Sequence, residues 1–429
     1  MEGKTNRLLA LEGLRGVAAV IVVIFHALLI FYPSFFYGPD FYVAGVHAIK
    51  LENNLFGSPL NIFLSGPFAV AIFFVISGFV LTVGFFQTND QMIIKKLAAK
   101  RYIRLMLPAF VSILIVWLVI TLGFDSSKHT AQAITHSFWL SQIWNIVPNL
   151  GDALIQGVWG IFTIGDVGYN PVLWTMKYEI LGSILVFGIS IIFKQSKYRW
   201  VIYAVLAIAT YNTWYLGFVT GMILADLYSL GYFPFNISKG KPLIVGALIT
   251  GLFLGAYPSP SNYTGNTIYK ALNINTLTQT QSESLYLTVG ATLVLVAVLT
   301  LPKLKSLFGS KILSTLGKYT YSLYLVHMTV LFTVCTELFL WLHAFMGFNK
   351  AAILSILLTL VPLALITYFF EKYVDAPAIR ISGSFSNWLF GLPQKKDEVI
   401  YGGTIKYLRL RAIIKKLKQT ITYSKKSNN

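Results

Sequence analysis

The stretch Leu9–Phe31, LALEGLRGVAAVIVVIFHALLIF, is apolar almost throughout yet carries Glu12, Arg15 and His26. About 20 such residues rising 1.5 Å each cover roughly 30 Å of hydrocarbon, so the segment reads as a membrane crossing and not as a soluble core helix. Arg15 and His26 lie almost three helical turns apart, and so leave on nearly one face about 16 Å apart along the axis. Glu12 joins the same stripe, about 40° from His26. A polar stripe on a lipid-compatible helix must face protein or water. Two readings fit it. Glu12 and Arg15 pair at the membrane surface while His26 gives one hydrogen bond to a neighbouring helix, or His26 is a working proton acceptor, for which imidazole suits neutral pH.

Similar runs recur along the whole chain. With 56% apolar and 12% charged residues and a mean hydropathy of +0.67, it is neither disordered nor an ordinary soluble protein. Apolar periodicity places spans near 9–31, 66–86, 106–122, 172–192, 200–211, 213–229, 242–258, 285–301, 319–342 and 351–371. The expected fold is all-α, a polytopic integral membrane bundle of about ten transmembrane helices. Residues 1–380 form the membrane domain and 381–429 a basic tail.

A net charge of +18 in a soluble protein would suggest nucleic acid, but these charges are sorted. With a cytoplasmic N-terminus, Lys and Arg gather in 1–8, 87–105, 193–199, 230–241, 302–318 and 372–429. The opposite side keeps only Lys50, Lys128, Lys270 and Lys350, with Arg15 and Lys177 inside spans. This positive-inside pattern needs an even number of crossings and puts both termini in the cytoplasm, with no nucleic-acid partner. Lys4 and Arg7 imitate a signal peptide, but the following run is too long and lacks a cleavage pattern, so it is expected to be retained. Cys335, the single cysteine, reads as a small buried hydrophobe and offers no metal pattern.

Polar residues mark further stretches. In FFVISGF, Phe73 to Phe79, Ser77 and Gly78 suit close helix packing. In KKLAAKRYIRLMLP, Lys96, Lys100 and Arg104 share a face beside Arg101; this is either a surface charge cluster or a phosphate site. Residues 123–171 form the longest exterior connection, and 138–164 are apolar enough to be interfacial or re-entrant. Span four opens NPVLWTMKYEILGS. Trp174 and Glu179 lie about 140° apart on it, and Glu179 should meet another helix. His327, in GKYTYSLYLVH, reads as a satisfied structural histidine before a second base, because nothing local marks its mate. Pro377 should end or redirect span ten. Asn262-Tyr263-Thr264 is a glycosylation sequon, and residues 405–421 pattern as an amphipathic helix for an anionic leaflet.

Taken in order, Leu8 to His26, FFVISGF, RYIRLMLP, LWTMKYE, YSLYLVH and FFEKYVDAPAIR resemble the membrane-bound acyltransferase-3 family, which includes polysaccharide O-acetyltransferases. The resemblance covers nearly the whole chain. It makes Arg15 and His26 the signature pair, Arg101 and Arg104 the basic pair, and Trp174 and Glu179 the span-four pair. It implies an enzyme moving an acyl group, commonly acetyl from cytoplasmic acetyl-CoA or another acyl-CoA, to a hydroxyl of a carbohydrate or glycolipid, without a metal.

On that resemblance His26 and Glu179 are the expected catalytic residues, with Glu179 either orienting His26 or stabilising its imidazolium. Arg15, Arg101 and Arg104 would hold cofactor phosphates, Trp174 would meet substrate, and the setting would be a plasma (inner) membrane. Some relatives carry a fused exterior hydrolase-like domain. The tail here is too short and basic for one, so either the membrane domain completes transfer or a separate exterior protein does. Direct transfer and an acyl-His26 relay both remain open. The rival reading is a proton-coupled transporter or flippase of a glycan or lipid, although no inverted repeat is evident.

Overall fold

The computed structural model describes residues 2–38, 50–232, 237–258 and 267–393, and their backbone is helical nearly throughout. The sequon at 262–264 and the amphipathic pattern at 405–421 lie outside the described residues. Fourteen helices carry the account below. They are α1 (Glu2–Phe31), α2 (Gly66–Thr88), α3 (Gln91–Thr121), α4 (Ser126–Thr135), α5 (Phe138–Gln142), α6 (Trp174–Phe193) and α7 (Arg199–Thr210). Then follow α8 (Tyr215–Ser229), α9 (Ile237–Gly255), α10 (Gln279–Thr300), α11 (Lys311–Val330), α12 (Thr336–His343), α13 (Phe348–Phe370) and α14 (Ala376–Leu389).

Each expected span coincides with helix, and among the described residues 7 segments are long and apolar enough to cross a membrane. The segments Arg199–Thr210, Tyr215–Ser229 and Gly240–Gly255 are shorter. At 1.5 Å per residue, a 12-residue helix such as α7 covers only about 18 Å.

The sidedness of α13 identifies its surroundings. Ile353, Leu357, Val361 and Leu365 are more than half exposed, while Ala351, Ala352, Ser355 and Thr359 are buried. In water this helix would be inside out. In lipid the large apolar side chains face the tails and the small residues let helices approach.

Glycine sets the closest crossings. A Cβ on Gly221 of α8 would lie 2.1 Å from the Val75 carbonyl oxygen of α2, and one on Gly78 of α2 would lie 2.2 Å from that of Phe218. A Cβ on Gly317 of α11 would come within 2.3 Å of the Glu12 carbonyl oxygen of α1, and Gly16 packs against the Gly317 nitrogen. The α1–α11 pair touches again at His26 and His327, ten residues further along each helix. The two helices therefore run parallel and stay in contact for about 15 Å. Gly317→Val should separate them and abolish recovery of monodisperse protein in detergent, whereas Gly188→Ala, whose Cβ would meet nothing within 4 Å, should be recovered normally.

Two sequence-based boundaries shift. The basic run whose charges share a face before span three is continuous with that span: it forms the first half of the 31-residue α3, begun by the Asp90 side chain accepting from the Met92 N–H at 3.0 Å. Pro377 does not end the last helix either. A π-helical turn, Glu371–Asp375, precedes it, and Pro377 sits in the first turn of α14, so the expected domain boundary at 380–381 falls within helix. The widened turn breaks the regular bonding that a proline ring would otherwise clash with. A second π-helical turn, Leu331–Cys335, joins α11 to α12.

The connection between α3 and α6 folds back into the bundle. Val158 accepts a hydrogen bond from the Tyr102 hydroxyl at 2.5 Å, Phe162 packs on the Tyr102 ring, and Gly157 meets Phe110. Tyr102 lies 19 residues from the far end of α3, about 28 Å along its axis, so the segment is re-entrant. Near its start, buried Lys128 donates to the Ile143 carbonyl; burial pushes its ammonium below the usual range, and nearby Asp125 opposes that shift.

Candidate active site

The α1–α11 contact brings two imidazoles together. His26 Nδ1 and His327 Nε2 are 3.1 Å apart, with ring centroids separated by 5.1 Å. His26 Nδ1 also lies 2.9 Å from the Val22 carbonyl oxygen, and His327 Nδ1 lies 3.1 Å from that of Leu323. His327 is fully buried, whereas His26 is half-buried. Trp139 of α5 stacks on His26 at 5.5 Å, and Phe25 meets it edge-on at 4.9 Å. Ser137, just before α5, donates to the Leu29 carbonyl at 2.8 Å and ties this covering segment to α1.

Nearer the basic ends of the helices lies a layer of ion pairs. Arg101 pairs with Glu179 and donates from Nε to the Ser183 hydroxyl at 2.9 Å. The Ser77 hydroxyl donates to both carboxylate oxygens of Glu179, at 3.1 and 3.2 Å. Arg104 pairs with Asp375, which also accepts from Ser322 at 3.4 Å, and the guanidinium covers the Tyr321 ring at 5.1 Å. Arg15 is held loosely by Glu12 at 3.7 Å, and its side chain is 37% exposed.

The helix repeat relates the two layers. On α11, Ser322 lies five residues before His327, and on α1, Arg15 lies eleven before His26. The ionic layer is therefore about 8–16 Å from the imidazoles along the helix axes. Between them Tyr324 donates to the Val172 carbonyl at 2.5 Å, and Asn170 donates to the Leu325 carbonyl at 2.9 Å. These bonds begin α6 inside the bundle.

The sequence-derived site is thus partly assembled and partly rearranged. The expected orienting contact from Glu179 to His26 is replaced: Glu179 is engaged by Arg101 and Ser77, while His327 meets His26. Arg101 and Arg104, expected to hold phosphates, each carry a carboxylate partner, so an arriving anion must share them; Arg15 is the least committed of the three. Trp174 packs with Phe74, Tyr178 and Trp214 in an aromatic cluster. His327 is the residue that meets His26, a pairing that local sequence hid, and the signal available was a second imidazole within an apolar span. Among the described residues, no three His, Cys, Asp or Glu side chains converge as a metal site.

Comparison with known proteins gives two matches. The acyltransferase domain family matches residues 8–371. "Acyltransferase clz18" of Cochliobolus lunatus is 22% identical, over 74% of this chain and 80% of its own length. No solved structure matches the chain.

Proposed function

The chain belongs to the acyltransferase-3 family, and from that premise we propose that it is a membrane O-acyltransferase, moving an acyl group, acetyl in the first instance, from acyl-CoA to a hydroxyl of a carbohydrate or glycolipid. The supporting observation is the partly accessible His26 ring, paired with a second imidazole inside the bundle and lying beyond a layer rich in arginine. The arginines lie on the side that charge segregation assigns to the cytoplasm, where coenzyme A is found. The extended arm between the phosphates and the thioester of a coenzyme A can bridge the two layers. Arg15, with its distant partner, and the outer edges of Arg101 and Arg104 are the candidate phosphate contacts.

In this mechanism His26 is the general base. Its ring takes the proton of the acceptor hydroxyl as the oxygen attacks the thioester carbonyl carbon. The resulting tetrahedral intermediate collapses with cleavage of the carbon–sulfur bond, and the imidazolium returns the proton to the departing thiolate. The products are an O-ester and a free thiol. Glu179 holds Arg101 and Ser77 in place; Trp174 and its aromatic neighbours form a wall for the substrate.

The same proposal takes ten crossings, cytoplasmic termini and a plasma (inner) membrane. In a Cys335→Ser background, a cysteine at Lys95 should react with an impermeant thiol reagent only from the cytoplasmic face, and one at Thr130 only from outside. Labelling of both from one face would sink this topology. The transfer itself is tested by supplying radiolabelled acetyl-coenzyme A to membranes with and without the protein and following label into glycan and lipid. No protein-dependent ester label with acetyl or longer acyl donors would count against it.

A further inference from the structure

We propose that His327 is the positioning residue of the reaction: it keeps the proton of the neutral His26 ring on Nδ1, leaving Nε2 as the base. This inference rests on the reading of His26 as the base and goes beyond it by assigning the reacting nitrogen and its support.

The hydrogen-bond chemistry leaves little choice. A backbone carbonyl only accepts, so His327 Nδ1, 3.1 Å from the Leu323 carbonyl oxygen, carries that ring's proton. Neutral His327 then has a bare Nε2, which can only accept. Its partner at 3.1 Å is His26 Nδ1, which must therefore be the donor. The Val22 carbonyl oxygen, 2.9 Å from the same nitrogen, makes the same demand. Two acceptors converge on one N–H, and His26 Nε2 is left with the lone pair. The opposite assignment would set a bare His26 nitrogen against the Val22 carbonyl oxygen, with two lone pairs facing.

The arrangement has a consequence for the transition state. When His26 Nε2 takes the hydroxyl proton, the ring becomes cationic and its Nδ1–H bond to His327 becomes charge-assisted, roughly doubling in strength. His327 stays neutral and keeps its own proton on Nδ1. The proton later leaves from His26 Nε2 to the thiolate, restoring the starting state. A carboxylate in the position of His327 would need a counter-charge within the span. Full burial of His327 excludes direct contact with a reactant, which separates its role from that of His26.

Two measurements test this. The first is nitrogen NMR of histidine-labelled protein in detergent, with His26 assigned by its absence in His26→Gln. The expected spectrum has His26 protonated at Nδ1 and bare at Nε2; the reverse would overturn the assignment. The second compares His327→Gln, whose amide oxygen can still accept, with His327→Phe, which fills the space without accepting. Transfer from radiolabelled acetyl-coenzyme A into membrane glycan and lipid is followed at equal folded protein.

For His327→Phe we expect kcat to fall roughly 10²-fold or more with KM little changed, and for His327→Gln to recover at least a tenth of the wild-type rate. Among the described residues, His327 is the titratable group facing His26. Losing its acceptor should change how the imidazolium is held and so displace the acid limb of the pH profile. Equal loss in both variants with an unmoved limb, or full activity in His327→Phe, would refute the positioning role. An active His26→Gln would instead refute the base assignment itself.

Discussion

His26→Ala is expected to lower acyl transfer by roughly 10²–10⁴-fold, the range set by loss of a positioned base, while the protein still reaches the membrane in normal amount. The structure explains why folding should tolerate the change. His26 is half-buried, and the α1–α11 contact is secured independently through Gly16 and Gly317. His327 loses its Nε2 partner but keeps the Leu323 contact. The decisive experiment is mass spectrometry of glycans, lipids and small metabolites from matched cells expressing either form equally. One set of products should lose the mass of an acyl group. Indistinguishable products would remove His26 from the mechanism.

The second large effect concerns Glu179. Both side chains of the Arg101–Glu179 pair are mostly buried, 17% and 12% exposed, so removing the carboxylate strands a guanidinium in a helical core. Breaking such a pair costs about 3–5 kcal/mol, and Glu179→Ala should markedly lower thermal stability in detergent. The combined variant Arg101→Met, Glu179→Leu should regain much of that stability, since an apolar pair of similar volume carries no stranded charge. Transfer should stay low in the double variant if Arg101 also meets the donor phosphates. Equal melting temperatures for wild type and Glu179→Ala would mean that water screens the pair and that the layer is not closed.

Much of this architecture was legible in the sequence because lipid imposes simple rules. Long apolar runs must be helices, and sorted Lys and Arg give them direction. The α1 stripe was legible for the same reason: a charged group in a span needs a protein partner, whatever that partner is. Partner identity was not legible. Glu179 meets Arg101 across 78 residues and His26 meets His327 across 301, distances at which one sequence carries no pairing information. A carboxylate inside span four sent Glu179 to another helix without saying which. The re-entrant segment was readable from its apolar 138–164, but its depth beside Tyr102 was not, because depth depends on where α3 stands. The shifted boundaries at α3 and Pro377 have a different origin: the basic face and span three are one long helix, so its start lies well before the apolar run, and a widened turn absorbs the proline.

The widened turn at Leu331–Cys335 begins four residues after His327. Inserting one residue into a helix offsets everything beyond it by about 100°. The half of the rod bearing the imidazole and the half bearing Phe339 are thus phased separately, like two gears on a slipped shaft. Deleting a single residue there would restore a regular helix and leave every nearby side chain chemically intact. It would force the two halves to choose: either Phe339 keeps its seat and the ring facing His26 swings away, or that ring stays and Phe339 is turned out of its place.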